Sequence, residues 1–238
     1  MLAAILLAAA SHVTVATSRG DQSLAVYAPA DGAPKRAGRL VVVLSGEGGW
    51  RAFDVQLAEW LAADGYWVGG IDCLHYFMSA QDDRAVLAKD VARFADALVA
   101  AAGAPEKPKI ALAGYSFGAD LAPWIAGAPG ADPRIGALVM IGPDKTGSLE
   151  FRLSELLGLS SSKNHVFDTA GALADASSVP VLFVHGGSDD ESDAPELAAG
   201  FKGVKELVVV PKATHHFSGH EAELKQAVLD GLKRLLAR

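Results

Sequence analysis

Cysteine is nearly absent from this chain of 238 residues, in which Cys73 stands alone. A single cysteine cannot form an intramolecular disulfide, and the sequence shows no Cys and His spacing typical of a metal site. Basic residues are also few, since 21 Lys and Arg stand against 28 Asp and Glu for a formal net charge of -7. This acidic balance argues against nucleic acid as a partner and against a purely electrostatic grip on anionic membranes.

A long apolar run of membrane-spanning length is missing at the N-terminus. Residues 1–10 read MLAAILLAAA, which is too short to cross a bilayer. This stretch resembles the apolar region of a secretory signal, with Ala8 and Ala10 as a candidate cleavage motif, although the usual preceding basic residues are missing. We therefore expect residues 1–20 to be a signal peptide or an N-terminal strand, and residues 21–238 to form a single domain.

Apolar strand-like runs alternate with helical patterns along the remaining chain. The predicted strands span residues 12–17, 24–28, 40–44, 67–71, 110–114, 137–141, 181–185 and 207–210, and the longer predicted helices residues 55–64, 82–102 and 219–238. This alternation predicts an α/β fold with a mostly parallel central sheet flanked by helices. Ligands of such sheets bind beyond the carboxyl ends of the strands, so we expect the chemistry in the residues that follow each strand.

The most informative motif is GYSFG at residues 114–118, placed between an apolar strand and a helical stretch. The pattern G-x-S-x-G in this context is typical of a nucleophile elbow, a strained turn in which side chains at the flanking positions would crowd the serine. It predicts Ser116 as a nucleophile that is lifted above the sheet next to a helix N-terminus. The competing interpretation is a glycine-rich turn with an idle serine.

A serine hydroxyl is a poor nucleophile until a base removes its proton. In the α/β-hydrolase fold an acid and then a histidine follow the nucleophile, each after a later strand. The run Asp189-Asp190-Glu191 follows the predicted strand 181–185, and we favour Asp189 because it comes three residues after Gly186, the usual turn spacing for this fold. Asp190 and Glu191 remain the alternatives.

Two adjacent histidines follow the last predicted strand. We expect His215 to be the base, and His216 to line the pocket, because neighbouring side chains diverge. The oxyanion of the reaction needs two backbone N–H groups, for which Phe117 and Glu47 are the candidates. We also expect Glu47, Trp50 and Tyr115 to contact substrate.

The loop SGEGGW at residues 45–50 supplies Glu47, and its glycines permit close approach of backbone to a ligand. A phosphate-binding loop is the competing interpretation, but the Lys-Ser/Thr ending of a P-loop and the spacing of a dinucleotide site are missing. The sequence therefore implies no cofactor and no metal.

Four strings resemble a known family: SGEGGW (45–50), DCLHYF (72–77), GYSFGAD (114–120) and HHF (215–217). The chain resembles the bacterial virulence-protein family of VirJ and the C-terminal domain of AcvB, from about residue 40 to the last helix. It departs from that family at Glu47, where Asp is usual, at Met78, where Trp is usual, and at Asp189, where Glu would be expected.

The resemblance implies a periplasmic esterase, with a cytoplasmic location as the alternative. Its implied substrate is aminoacyl-phosphatidylglycerol, chiefly the lysyl form, reached through peripheral contact with membrane lipid, and it implies association with virulence and type IV secretion. A carboxylate of Glu47, Asp54 or Asp120 could pair with the lysyl ammonium, although Asp54 could equally cap the following helix and Asp120 could support the elbow.

Two other functions stay open at this stage. One is a generic carboxylesterase or thioesterase of the dienelactone-hydrolase type, which would act on another small-molecule ester. The other is a non-catalytic periplasmic binding protein associated with secretion. An intact set of nucleophile, base and acid argues against the second.

Overall fold

The computed structural model describes residues 10–33, 39–104, 108–150 and 165–237. Its strands are β1 (Ser11–Thr17), β2 (Gly20–Tyr27), β3 (Arg39–Leu44), β4 (Trp67–Ile71), β5 (Lys109–Tyr115), β6 (Ile135–Ile141), β7 (Thr146–Ser148), β8 (Val166–Asp168), β9 (Val181–Gly186) and β10 (Lys205–Val210). Eight strands form one sheet in the order β1-β2-β4-β3-β5-β6-β9-β10, while β7 and β8 form a separate antiparallel pair. From β4 to β10 neighbouring strands are parallel, which confirms the predicted mostly parallel sheet.

Helices cover both faces of this sheet. They are α1 (Ala52–Ala63), α2 (Cys73–Tyr76), α3 (Arg84–Ala102), α4 (Phe117–Ala126), α5 (Thr169–Asp175), α6 (Ala194–Gly200) and α7 (Glu221–Leu236). Successive strand residues point to opposite faces, so that Val42 packs in the core beneath α3 and α4, whereas Val41 and Val43 pack beneath α1 and α7. The long apolar runs in the sequence are therefore strands buried on both sides.

The helix ends follow from local hydrogen bonding. The carboxylate of Asp83 accepts the backbone N–H groups of Ala85 and Val86, so α3 starts at Arg84, slightly later than the sequence pattern predicted. Gly103 ends this helix in the left-handed region, with φ of 55°. The apolar side chains that recur at helical spacing along α3 are buried; they are Leu87, Val91, Phe94 and Leu98.

The N-terminal strands β1 and β2 form an antiparallel hairpin at the edge of the sheet. Its turn lies at Ser18 and Arg19 rather than at the following Gly20 and Asp21, although Gly and Asp are residue types that favour turns. The earlier turn is fixed because the buried carboxylate of Asp90 on α3 accepts both the backbone N–H and the hydroxyl of Ser18. Residues 1–9 of the signal-like segment, and residues 34–38, lie outside the described residues.

No helix within the described ranges is both long enough and apolar enough to span a bilayer. The short β7–β8 pair and helices α2, α5 and α6 were not predicted, since each is brief and carries little periodicity. The β7–β8 pair matters because Thr146, Gly147 and Ser148 line the cavity above the sheet.

Candidate active site

Ser116 occupies the sharp turn between β5 and α4. Its backbone has φ of 52° and ψ of −121°, a conformation that non-glycine residues rarely adopt and that costs about 1–3 kcal/mol. A Cβ at Gly114 would lie 2.0 Å from the Gly118 carbonyl oxygen, and one at Gly118 would lie 2.1 Å from that of Leu44. Both positions therefore require glycine, because the backbone packs too closely there for a Cβ atom. This is the physical reason for the two glycines of the G-x-S-x-G motif.

His215 and Asp189 come together although 26 residues separate them in the chain. The Nδ1 atom of His215 lies 3.0 Å from Oδ2 of Asp189, whose side chain is fully buried. The second carboxylate oxygen accepts the backbone N–H of Glu191 at 3.0 Å, so the carboxylate is held in one orientation. A carboxylate on Nδ1 favours the tautomer that leaves Nε2 as the basic nitrogen.

His216 is directed to a different partner. Its Nδ1 lies 2.8 Å from the Tyr115 hydroxyl, and the Tyr115 ring stacks on Phe53 with a centroid separation of 4.0 Å. The same ring lies 5.2 Å from that of His215. Burial, and next the charge of Asp189, raises the pKa of Tyr115. Tyr115 and His216 thus form a support alongside His215, and neither is among the residues that line the cavity.

A cavity of about 230 Å³ lies over the carboxyl ends of the strands. Ser116, His215, Phe117 and Glu47 line it together, so the structure gathers the predicted nucleophile, base and oxyanion groups around one space. Of the acid alternatives, Glu191 also reaches the cavity wall, whereas Asp190 is exposed. The carboxylate that meets the imidazole is that of Asp189.

The two candidate oxyanion donors belong to adjoining segments. Phe117 opens α4, and Glu47 lies in the turn that follows β3. That turn is closed by a hydrogen bond from the Gly49 N–H to the Gly46 carbonyl, at 3.1 Å. Gly49 has φ of 80°, and a Cβ there would lie 2.9 Å from a carboxylate oxygen of Asp72. The glycines of the loop therefore shape a tight turn beside Ser116.

Trp50 does not lie in the cavity wall. Its indole ring lies over Gly70 of β4, where a Cβ would come within 2.1 Å of the ring. Its Nε1 donates a hydrogen bond to the Tyr27 hydroxyl at 3.3 Å. The ring thus makes a packing contact, because the glycine at position 70 opens a slot on the sheet that the large ring fills. A contact between Trp50 and substrate stays a prediction.

Asp54 is buried in the first turn of α1, next to the oxyanion loop. One carboxylate oxygen accepts the Arg51 N–H at 3.1 Å, which is the helix-capping role considered from sequence. The other oxygen has no hydrogen-bond partner among the residues that the structure describes. Burial raises the pKa of Asp54 to about 6. The capping contact accounts for this residue without any contact to substrate.

Sequence reasoning missed two residues that follow β6. Gly142 has φ of 61°, and a Cβ there would lie 3.0 Å from the His215 ring, so this glycine makes room for the imidazole. Asp144 lines the cavity, and its pKa is raised by burial and then by a hydrogen bond with Asp193. Both could have been found from the sequence, because they directly follow a predicted strand. They therefore lie at the carboxyl ends of the strands, where ligands of such sheets bind.

Asp120 also lines the cavity from the first turn of α4, with 3 % of its surface exposed. Its Oδ1 accepts the Asp144 N–H at 2.8 Å. Burial, followed by the charges of Asp144, Asp193 and Glu47, raises its pKa well above the ordinary value. Across the described parts of the chain, no group of three His, Cys, Asp or Glu side chains is arranged to hold a metal ion.

The sequence matches the family described as bacterial virulence protein (VirJ) over residues 38–236. The chain belongs to the VirJ family. The match begins just before β3 and ends within α7, so it covers every strand and loop that forms the cavity of this VirJ-family protein. A comparison with curated protein sequences found no match.

Solved structures establish the fold of the VirJ-family chain as that of the α/β hydrolases. It is similar to Est1E from Butyrivibrio proteoclasticus, with a TM-score of 0.69, 17% identity and coverage of 95% of this chain and 99% of that one. For the dienelactone hydrolase from Anabaena variabilis the TM-score is 0.68, the identity 18%, and the coverage 96% and 99%. XC6422 from Xanthomonas campestris, described as a serine hydrolase without a lid, has a TM-score of 0.63 and 19% identity, with coverage of 95% of this chain and 94% of that one.

Proposed function

We propose that this protein is a serine esterase that hydrolyses the aminoacyl ester of phosphatidylglycerol, the lysyl form above all, through an acyl-enzyme. The observation that carries the esterase part is the convergence of Ser116 and His215 on one cavity, with Asp189 bound to the far side of the imidazole. The strained backbone of Ser116 supports it, because strain at a turn persists where the surrounding structure holds the residue for function.

The proposed reaction follows from this arrangement. His215 Nε2 takes the proton from the Ser116 hydroxyl as Oγ bonds to the ester carbonyl carbon. The backbone N–H groups of Phe117 and Glu47 stabilise the oxyanion. The bond to the glycerol oxygen then breaks, and His215 returns its proton to that leaving oxygen. Water repeats the sequence on the acyl-enzyme, freeing the amino acid and restoring Ser116.

The aminoacyl part of the proposal is supported by charge. Carboxylates of Glu47, Asp120, Asp144 and Glu191 line the cavity. A cationic acyl group is favoured in such surroundings, whereas a carboxylate or phosphate on the acyl group would be repelled. We further propose a periplasmic location and a peripheral contact with lipid, since the ester of this substrate lies at the headgroup level. Association with a secretion system is likewise a proposal that the family membership supports.

The test compares wild type with Ser116→Ala on vesicles of phosphatidylglycerol that contain lysyl-phosphatidylglycerol. We expect wild type to release lysine and the variant to lose activity by about 10⁴- to 10⁶-fold, with the thermal transition little changed. A fluorophosphonate probe should label wild type and not the variant. Undiminished turnover by Ser116→Ala would remove the serine from the mechanism.

The same assay separates the substrate alternatives. Rapid turnover of short acyl esters with no release of lysine from the vesicles would favour a generic carboxylesterase, the kind of enzyme to which the shared fold also points. Failure of the probe to label Ser116, together with inactivity on every ester, would favour a non-catalytic binding protein.

A further inference from the structure

The cavity beside Ser116 is strongly acidic. Of the described residues that line it, none is Lys or Arg, while four carry carboxylates. The nearby Lys145 is engaged elsewhere, because its Nζ lies 2.6 Å from Asp193. Glu47, Asp144 and Glu191 are exposed, so their charges are solvated. Those three exposed carboxylates alone would not specify a ligand.

Asp120 differs from those three carboxylates, because it is buried with 3 % exposure and still borders the cavity. Its Oδ1 accepts the Asp144 N–H at 2.8 Å, whereas its Oδ2 accepts no hydrogen bond from the described residues. A buried carboxylate that lacks a cation or a full set of donors is costly. A ligand that brings a cation to Oδ2 would remove that cost.

Asp120 also stands in a defined relation to the nucleophile. Its backbone N–H donates to the Ser116 carbonyl at 3.2 Å, so the two residues are one helical turn apart. The side chains of both residues line the same cavity. In an aminoacyl ester, the α-nitrogen is attached to the carbon next to the carbonyl that Ser116 attacks. The ε-nitrogen of a lysyl group lies at the far end of its side chain.

We propose that Asp120 binds the α-ammonium group of the aminoacyl ester through Oδ2 and so selects esters of α-amino acids. This inference rests on the proposed esterase function and adds the specificity-determining residue to it. Because recognition is at the α-ammonium group, the amino-acid side chain contributes less to the selection of substrate. Esters of α-amino acids other than lysine are therefore accepted as well. Esters whose α-nitrogen is acylated or missing are then poor substrates.

Asp120 has a structural contact that a test must separate from binding. Its Oδ1 holds the Asp144 N–H and thereby ties α4 to the segment after β6. Asp120→Asn keeps a carbonyl oxygen of the same shape for that hydrogen bond but removes the charge. A purely structural role therefore predicts that this variant discriminates among substrates as the wild type does.

The experiment uses two isomeric glycerol esters, norleucyl and ε-aminocaproyl, which have the same composition and charge and differ only in the position of the ammonium group. Each kcat/KM is divided by the rate of hydrolysis by hydroxide, which removes the difference in intrinsic reactivity. We expect wild type to favour the norleucyl ester by about 10- to 100-fold, as for a hydrogen bond to a charged group. Asp120→Asn should reduce that preference to within about threefold.

Asp132→Asn is the matched control. Asp132 is also largely buried, with 9 % exposure, but it precedes β6 and so lies at the amino ends of the strands, away from the cavity at their carboxyl ends. This variant should keep the wild-type preference. Thermal unfolding of all three proteins shows whether a change in preference reflects loss of folding.

The outcomes are distinguishable. A wild-type enzyme that hydrolyses both esters with equal normalised efficiency overturns the assignment of Asp120, whether or not the variant folds, and leaves the esterase standing. A folded Asp120→Asn that keeps the norleucyl preference overturns it as well. A wild type that hydrolyses neither ester and is not labelled at Ser116 overturns the proposed function, and the assignment of Asp120 with it.

Discussion

Adding one methyl group at Gly118 should damage both stability and catalysis. The Cβ of Gly118→Ala would lie 2.1 Å from the Leu44 carbonyl oxygen and 2.7 Å from that of Ser45. A carbon and a carbonyl oxygen in contact lie about 3.3 Å apart or more, so α4 and the loop after β3 must separate by about 1 Å. Neither neighbour is a flexible side chain that could turn away, since both atoms belong to the backbone.

The magnitude follows from what these two segments carry. Overpacking of this size costs about 1–3 kcal/mol of unfolding free energy. In addition, Phe117 begins α4 and Glu47 lies in the displaced loop, so the two oxyanion donors move apart. A misplacement of about 1 Å lowers kcat by about 100-fold. Stability and turnover are therefore both expected to fall.

Gly200→Ala is the control for this change. A Cβ at Gly200 meets no atom within 4 Å, and the residue ends helix α6. The same added methyl should alter stability there by less than about 1 kcal/mol and leave ester hydrolysis unchanged. Urea denaturation and hydrolysis of the norleucyl glycerol ester measure the two effects. An unfolding free energy and a turnover for Gly118→Ala that match those of Gly200→Ala would refute the packing argument.

Three other substitutions, at Asp189, Asp190 and Asp54, test individual carboxylates. Asp189→Asn should lower kcat by about 10⁴-fold by favouring the wrong imidazole tautomer, whereas Asp190→Asn, at an exposed position, should leave kcat unchanged; equal effects would contradict the pairing with His215. Asp54 has a pKa raised from 3.8 to about 6, so the native state binds its proton more tightly and loses stability as the pH rises through this window. The free energy of unfolding of Asp54→Asn, relative to that of wild type, should then increase by up to about 3 kcal/mol between about pH 4 and pH 7. Urea denaturation of both proteins at the two pH values measures this change. A difference in unfolding free energy that does not vary with pH would contradict the assignment.

Much of the sheet could be predicted from the sequence, because strands buried on both faces appear as continuous apolar runs. The run LVVVL at residues 40–44 is β3 almost to the residue. The boundaries that differ are set by contacts from distant segments. The turn at Ser18 depends on Asp90, which follows it by 72 residues, and no local pattern encodes that contact.

The same distinction applies to the site. The positions of Ser116, His215 and Asp189 follow strand ends, and strand ends can be found from sequence. The place of Trp50 could not be predicted, because it depends on a glycine in a neighbouring strand. The contribution of Asp120 to the cavity likewise depends on its burial beside Asp144, which follows from the packing of α4 against the segment after β6.

The position of His215 has a consequence for how the protein loses activity. His215 follows β10, an outer strand that pairs only with β9 among the described strands, whereas Ser116 follows β5 near the middle of the sheet. Strands at an edge open at lower free energy than central ones. Brief detachment of β10 would carry the base away from a nucleophile that stays in place. The free energy of local opening of β10, which amide hydrogen exchange measures, therefore limits the fraction of molecules that hold His215 in place for catalysis. This loss of activity precedes unfolding of the rest of the sheet.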